Sequence, residues 1–392
     1  MQIERKEFVI LYGFPASLYT AKLRSFFIKK GIPFIERHPG HRRFREYVAP
    51  TCGSSRLPII EHPDGAIIQD TNDIIARLDR DAPELPVLPE TPLQRIITRL
   101  INLFADEALL KQAMHYRWNT TAENRSFIEF DFGLAFARHN APSEIRSKGA
   151  KAARRFSGYL PFLGVNSETA DAIEAVHLEL LELLERHFAA HPYLMGGHPS
   201  LADYALMGPL YAHLTRDPHA GSLLYERAPR VLRWTEEMNR PGPVSPDHPD
   251  RDVSFEPHDR VPETLEPILS LMFETFAPEL AAFAGRYREF IAANPNLPSG
   301  SPLDPSGYDQ PSLAEVEIDY RGARMRMVAR MFPLWLFQPV VQDYRGLLPE
   351  DKRRVDALLD ATGGSEMMSI SLPRALSRRG NRLVLGDEAE NA

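Results

Sequence analysis

Residues 7–12, EFVILY, are an unbroken apolar run of strand length, and Gly13-Phe14-Pro15-Ala16-Ser17 ends it with turn chemistry. From Tyr19 to Lys30 the period lengthens. Leu23, Phe26 and Phe27 recur on one face while Lys22, Arg24, Lys29 and Lys30 face elsewhere, and Gly31 stands where a helix should stop. Residues 32–36 read as a second strand. The stretch from Arg56 to Asp73, RLPIIEHPDGAIIQDTND, then gives a strand that begins at a proline, a Pro63-Asp64-Gly65 turn, a further strand and a polar break that opens a helix over 72–78. A β-α-β unit followed by β-β-α, within about eighty residues, predicts one compact sheet domain.

After a proline-rich connector, 82–92, the pattern turns helical. Leu93 to Trp118 has helical spacing throughout, Phe127 to Ala137 extends it, and Ala170 to Phe188 is an amphipathic helix carrying Leu178, Leu181 and Leu184. Ser200 with Asp203 three residues on is a capping pair that starts a helix running through Leu214. Pro243 to Arg260 is a polar, proline-rich linker or surface strap. Beyond it, residues 263–293 read as helix, 315–327 as a hairpin around Arg321-Gly322, 350–361 as helix, and 368–385 as a second hairpin around Gly380-Asn381. The expected division is 1–83, a sheet domain; 90–242, an all-helical domain; and 243–392, a mixed extension of unknown role. The fold class is α+β.

Length and composition fit this picture. The 392 residues exceed one ordinary core, and the apolar and charged fractions are those of a soluble globular protein. No run approaches the ~20 apolar residues of a membrane span; the longest, Met331 to Val341, is broken by Pro333 and Pro339. No export signal opens the chain, and the single cysteine, Cys52, excludes an internal disulfide framework, so the cytoplasm is the expected compartment. The net charge is −7, yet the first sixty residues carry eleven Lys or Arg against four Asp or Glu. Such a patch is a solvated face or an attractor of small anions; an acidic chain without a recognition motif is not expected to bind nucleic acid. His187, His191 and His198 lack ligand spacing with a carboxylate, so no metal site is expected.

Two features of the stretch from Arg56 to Asp73 carry chemistry. The residue before a proline is extended and an X-Pro bond is where a cis peptide is cheap, so Leu57-Pro58 is either an ordinary turn or a backbone edge offered to a peptide. Gln69-Asp70-Thr71 lies where a strand yields to a helix, whose free N–H groups and dipole suit an anion. Together they suit a short, acidic, peptide-like ligand.

These features, with Leu11-Tyr12-Gly13, Ser17-Leu18-Tyr19-Thr20, Gly31-Ile32-Pro33-Phe34 and Tyr193-Leu194-Met195-Gly196 leading to Ser200-Leu201-Ala202-Asp203-Tyr204, resemble the soluble glutathione transferases over roughly residues 7–240. The resemblance implies a thioredoxin-like β-α-β-β-β-α domain followed by a helical one, glutathione as co-substrate and a homodimer. It assigns the cis proline to Pro58, backbone pairing with the cysteinyl part to Leu57, and the γ-glutamyl end to Asp70 and Thr71. The glycyl carboxylate falls to Arg56, His41 or Arg42. It places the thiolate's hydroxyl donor at Ser17, with Tyr12 and Tyr19 in reserve. A hydrophobic, aromatic electrophile is expected against the helix from Leu93 to Trp118, lined by Phe104, His115, Tyr116 and Trp118 and polarised by Asp106 and Glu107. Leu18 replaces the family's frequent proline, and serine rather than cysteine at 17 argues against a reductase. The rival expectation is a non-catalytic binding or scaffold protein that meets a partner through 243–392.

Overall fold

The computed structural model describes residues 8–119, 122–304 and 311–388; Glu7, expected at the head of the first strand, lies outside them. The chain opens with β1 (Val9–Tyr12), α1 (Leu18–Lys30), β2 (Phe34–Arg37), a short α2 (Ala49–Cys52), β3 (Ile59–Glu61), β4 (Ile67–Gln69) and α3 (Thr71–Asp81). The sheet order is β2-β1-β3-β4, with β1 parallel to β2 and antiparallel to β3, and β3 antiparallel to β4. Gly31, at φ 66°, caps α1 by donating its N–H to the Ile28 carbonyl, a conformation that favours glycine.

Both faces of α1 are buried, against the sheet and against the helices, so its lysines do not face solvent as the spacing suggested. Lys22 is 0% and Lys29 3% exposed. Each ammonium finds three acceptors, the full donor capacity of the group. Lys22 Nζ donates to Asn72 Oδ1 (3.0 Å), Asn102 Oδ1 (2.7 Å) and Asp106 Oδ2 (2.6 Å); Lys29 Nζ donates to Tyr193 Oη (3.0 Å), Glu237 Oε1 (2.9 Å) and the Gly242 carbonyl (2.9 Å).

The helical domain follows with α4 (Pro92–Leu103), a wide turn over Phe104–Ala108, α5 (Leu110–Trp118), α6 (Ala122–Ala137), α7 (Pro142–Ser157), α8 (Ala170–Ala190), α9 (Leu201–Pro209), α10 (Pro218–Arg227) and α11 (Pro229–Glu237). The hydrophobic pattern does not single out α7, which is rich in Lys and Arg. Its close approach to α6 depends on Gly149, where a Cβ would come within 1.6 Å of the Glu129 carbonyl oxygen. At the head of α9, Asp203 Oδ2 accepts from the Ser200 N–H (2.8 Å), and Oδ1 from the Leu194 N–H (2.9 Å), so the capping pair also fastens the preceding loop.

The remaining elements are α12 (Glu266–Ala293), β5 (Ser312–Tyr320), β6 (Ala323–Arg330), α13 (Phe332–Arg345), α14 (Pro349–Thr362), the short α15 (Ser365–Met368), β7 (Arg374–Arg379) and β8 (Arg382–Glu388). The hairpins turn where the pattern predicted, with Arg321 (φ 53°) and Gly322 (φ 81°) at the first tip. The segment from Met331 to Val341 is helical despite its prolines. Pro333 sits in the first turn, where its missing N–H costs nothing, and burial of Leu334, Phe337 and Val340 offsets the bond lost at Pro339. The expectation of no membrane-length segment meets one exception, Glu263–Ala293, whose apolar window is 67% buried inside the protein.

One apolar cluster runs from Val9 and Ile60 through Leu100 and Phe276 to Val340 and Leu385, so the extension is built into the same core as the two preceding domains. It also closes a helix end. The Asp259 carboxylate accepts from the N–H groups of Leu93 (3.1 Å) and Gln94 (2.9 Å), capping α4 across 166 residues. Asp259→Ala leaves both donors unpaired in a buried site and is expected to cost about 1–3 kcal/mol, read as a lower midpoint in urea unfolding. An unchanged midpoint would show that water replaces the carboxylate.

Candidate functional site

Ser17 is the N-cap of α1: its backbone is extended (φ −88°, ψ 120°) and its Oγ accepts from the Thr20 N–H at 3.2 Å. A hydroxyl that accepts this bond keeps its own proton for another acceptor, at the positive end of a 13-residue helix. The peptide just before it is held from the interior. The Ala16 carbonyl accepts from Arg117 Nη1 (3.2 Å) and lies 3.1 Å from His213 Nε2; both side chains are buried, and Arg117 Nη2 lies 3.3 Å from the buried Asp217. Burial, with Arg117 beside it, holds the His213 pKa well below its ordinary value, so it is neutral at pH 7.

Leu57–Pro58 is a cis peptide bond. Leu57 packs against the apolar cluster that includes Phe14 and Ala16 of the loop leading to Ser17. At the other end of the hairpin Asp70 adopts φ 88°, a left-handed conformation uncommon outside glycine, and its Oδ1 accepts from the N–H groups of Asn72 (2.9 Å) and Asp73 (3.5 Å). Thr71 therefore opens α3 beside an already capped turn. Asn72, bonded to Lys22, ties that turn to α1 and through Asp106 to the helical domain. Ser17, Leu57 and Thr71 are thus linked through α1, the 13–17 loop and the Lys22 cluster.

The two tyrosines are engaged elsewhere. Tyr12 lies among Phe44, Val48 and Ile59, and its hydroxyl donates to Glu61 Oε2 (3.2 Å), itself paired with Arg43; burial raises the phenol's pKa. Tyr19 donates to the Asp106 carbonyl (3.0 Å), and burial lifts its pKa far above the ordinary value. In the basic stretch, Arg42 pairs with Glu46 (3.2 Å), and His41 Nδ1 accepts from the Arg43 N–H (3.2 Å). The Arg56 N–H donates to Ser54 Oγ (3.2 Å).

The expected electrophile pocket is not brought together. Phe104 is core, edge-on to Phe276 of α12 with centroids 6.3 Å apart. His115 points to α8, where Nε2 lies 2.8 Å from Glu174 Oε1 and Nδ1 lies 3.2 Å from Asn119 Nδ2. Tyr116 lies tilted against His177, with centroids 4.7 Å apart, and stacks on His219. Asp106 is taken by Lys22 and Glu107 by Arg330 (2.5 Å). The cause is shared: the extension and α8 occupy the faces of α4 and α5 that helical spacing left unassigned.

Trp118 differs. It lies 5.9 Å from Phe132, which is edge-on to Phe14 at 5.4 Å, and this apolar group with Leu57 and Ala16 borders the loop before Ser17. Local patterning does not mark Phe14 and Phe132 as neighbours, although four phenylalanines within 127–136 make an unusual aromatic face. Two surface clefts, of about 330 and 450 Å3, lie at α4–α13 and α8–α11; neither is lined by Ser17, Leu57 or Thr71.

A thioredoxin-like sheet with Ser17 and Thr71 at its helix heads, joined to an all-helical domain, makes this an α+β protein. Residues 11–86 match the family model described as glutathione S-transferase, N-terminal domain, and residues 168–237 the one described as glutathione S-transferase, C-terminal domain. These two stretches match the family's N- and C-terminal domains, and the extension beyond residue 237 is unmatched. Comparison with curated proteins finds no match. Among solved structures it is similar to a glutathione S-transferase from Rhodospirillum rubrum F11, at 17% identity over 65% of this chain and 96% of that one, with a TM-score of 0.38. It is similar too to the beta-etherase LigF from Sphingobium sp. strain SYK-6, at 18% identity over 61% and 96%, TM-score 0.39. A glutathione transferase family member from Pseudomonas fluorescens pf-5, solved with two glutathione bound, matches at 17% identity over 60% and 89%, TM-score 0.33. Likenesses this low add nothing on function.

Proposed function

We propose that this chain is a glutathione-dependent transferase or lyase, in which Ser17 stabilises the glutathione thiolate for attack on a hydrophobic, aromatic electrophile. The observation that supports the reading is that Ser17 is an N-cap hydroxyl at a helix head and follows Ala16, whose apolar cluster holds Phe14 and Phe132 with Leu57 and Trp118 packed against it. A thiol of ordinary pKa, about 8.5, is mostly protonated at neutral pH and only the thiolate attacks well. One donated hydroxyl bond and the helix dipole favour the anion. In this reading the cysteinyl backbone pairs with Leu57 at Pro58, and the γ-glutamyl end meets Asp70 and Thr71. The glycyl carboxylate lies toward Arg56 and His41. The electrophile rests on Trp118, Phe14 and Phe132, while Phe104 and His115 act only through the core.

Retention on immobilised glutathione tests the site. The wild type is expected to bind and Thr71→Ala to bind roughly ten- to a hundredfold more weakly, the size of a lost hydrogen bond to a charged group. A wild type that fails to bind glutathione in any form would end the proposal.

A further inference from the structure

The hairpin β7–β8 reaches back across more than three hundred residues to the sheet domain. Its stem is fixed: Leu376, Leu383 and Leu385 are buried, and Gln338 of α13 exchanges two hydrogen bonds with the Leu376 backbone (2.9 and 2.7 Å). Its tip lies on the β4–α3 junction and the end of α2. Arg378 Nη1 lies 2.6 Å from Asp73 Oδ2 and 3.9 Å from Asp70 Oδ2, Nη2 donates to Gln69 Oε1 (2.9 Å), and the guanidinium lies 5.2 Å from the Trp335 ring. Asn381 Nδ2 donates to the Cys52 carbonyl (2.5 Å) and lies 3.1 Å from Cys52 Sγ. Beneath this tip Asp70 is 7% and Thr71 3% exposed.

We propose that this tip is an autoinhibitory strap: Arg378 fills the acceptors that the α-ammonium group of a γ-glutamyl ligand would use, so that the ligand binds only when the strap lifts. The proposal rests on the glutathione reading above. Two carboxylates, Asp70 and Asp73, stand in one half-buried corner, where like charges disfavour each other unless a cation sits between them. Without ligand that cation is Arg378. The γ-glutamyl head is a zwitterion whose ammonium offers the same charge to Gln69, Asp70 and Asp73, while its carboxylate needs the Thr71 hydroxyl and the head of α3. Both cations cannot hold one set of oxygens. The tip is suited to move, since its contacts with the sheet domain are polar and lie partly at the surface, whereas the stem is held by apolar burial and by Gln338.

If the strap is closed about nine-tenths of the time, only one-tenth of the protein is competent to bind and apparent affinity falls about tenfold, so Arg378→Ala is expected to bind S-hexylglutathione roughly tenfold more tightly than wild type in calorimetry. Weaker or equal binding would overturn the strap and make Arg378 a wall of the site or a structural tie. Asn381→Cys sets a second thiol beside Cys52, the only native cysteine. Oxidation with diamide, which takes up two electrons and two protons, should pin the tip and abolish binding, and a phosphine reductant should restore it. Equal binding by the pinned and reduced forms sinks the proposal. Alkylation of Cys52 by N-ethylmaleimide separates this from the function assignment, because it needs no ligand. Severalfold faster alkylation in Arg378→Ala supports the strap even where no glutathione compound binds any form, whereas an unchanged rate rejects it.

Discussion

Replacing Ser17 with alanine is expected to lower glutathione turnover about a hundredfold while leaving the KM for glutathione within a factor of two or three. The magnitude follows from the task proposed for the hydroxyl. Lowering a thiol pKa by about two units corresponds to roughly 2.7 kcal/mol of preferential stabilisation of the anion, which is a hundredfold in rate when only the thiolate reacts. In the proposed reading the tripeptide's affinity comes from Leu57, Thr71 and their neighbours, none of which the substitution replaces. The same change removes a helix cap, for about 1 kcal/mol of stability, so turnover must be compared at a temperature where the variant is fully folded. Ser17→Thr keeps both the cap and the donor and should retain most of the activity. The decisive measurement is the ultraviolet absorbance of bound thiolate against pH: in Ser17→Ala its midpoint should move up toward that of the free thiol. An unmoved midpoint would take the role from Ser17. Tyr12 and Tyr19 are poor substitutes, because Glu61 and the Asp106 carbonyl already hold their protons.

What could be read from the chain beforehand was whatever is encoded locally. Gly31 ends α1, Pro63-Asp64-Gly65 turns β3 into β4, Ser200 and Asp203 start α9, and Gly380-Asn381 turns the last hairpin, because a cap or a turn depends on a few adjacent residues. The two helix heads carrying Ser17 and Thr71 were legible for the same reason. Contacts between distant segments were not. Lys22 and Lys29 look like a solvent face until Asp106 and Glu237 arrive from other domains. Phe104 looks like a pocket wall until Phe276 covers it. Arg378 carried no mark among the chain's many arginines, since its partners lie on the far side of the sequence.

Arg330→Met is expected to destabilise the protein by about 3–5 kcal/mol near pH 8, through the junction that fastens the extension to the helical domain. Arg330 donates to Glu107 Oε2 (2.5 Å) and Glu279 Oε1 (3.2 Å), and Lys111 donates to Glu279 Oε2, so two cations and two carboxylates share one interior site. Glu107, Glu279 and Lys111 are each at most 2% exposed. Removing one cation leaves a carboxylate there without its partner. The cheapest relief is protonation of Glu107, whose pKa burial already pushes up to about 7 from an ordinary 4.5. An acid with a raised folded pKa contributes stability that is complete below about pH 4.5, fades as pH rises through 7, and is absent above it. Losing Arg330 moves the folded value higher still, so the deficit should keep growing above pH 7 and be larger at pH 8.5 than at pH 6. Buried His177 and His187, each with a pKa lowered by desolvation to about 3, act in the opposite sense: they withdraw stability as pH falls below 6.5. Because variant and wild type share these histidines, the difference between their urea-unfolding free energies at each pH cancels them and isolates the Glu107 site. A deficit of the same size at pH 6 and pH 8.5 would show that Glu107 does not take up the proton, and that the loss comes from packing around the missing guanidinium.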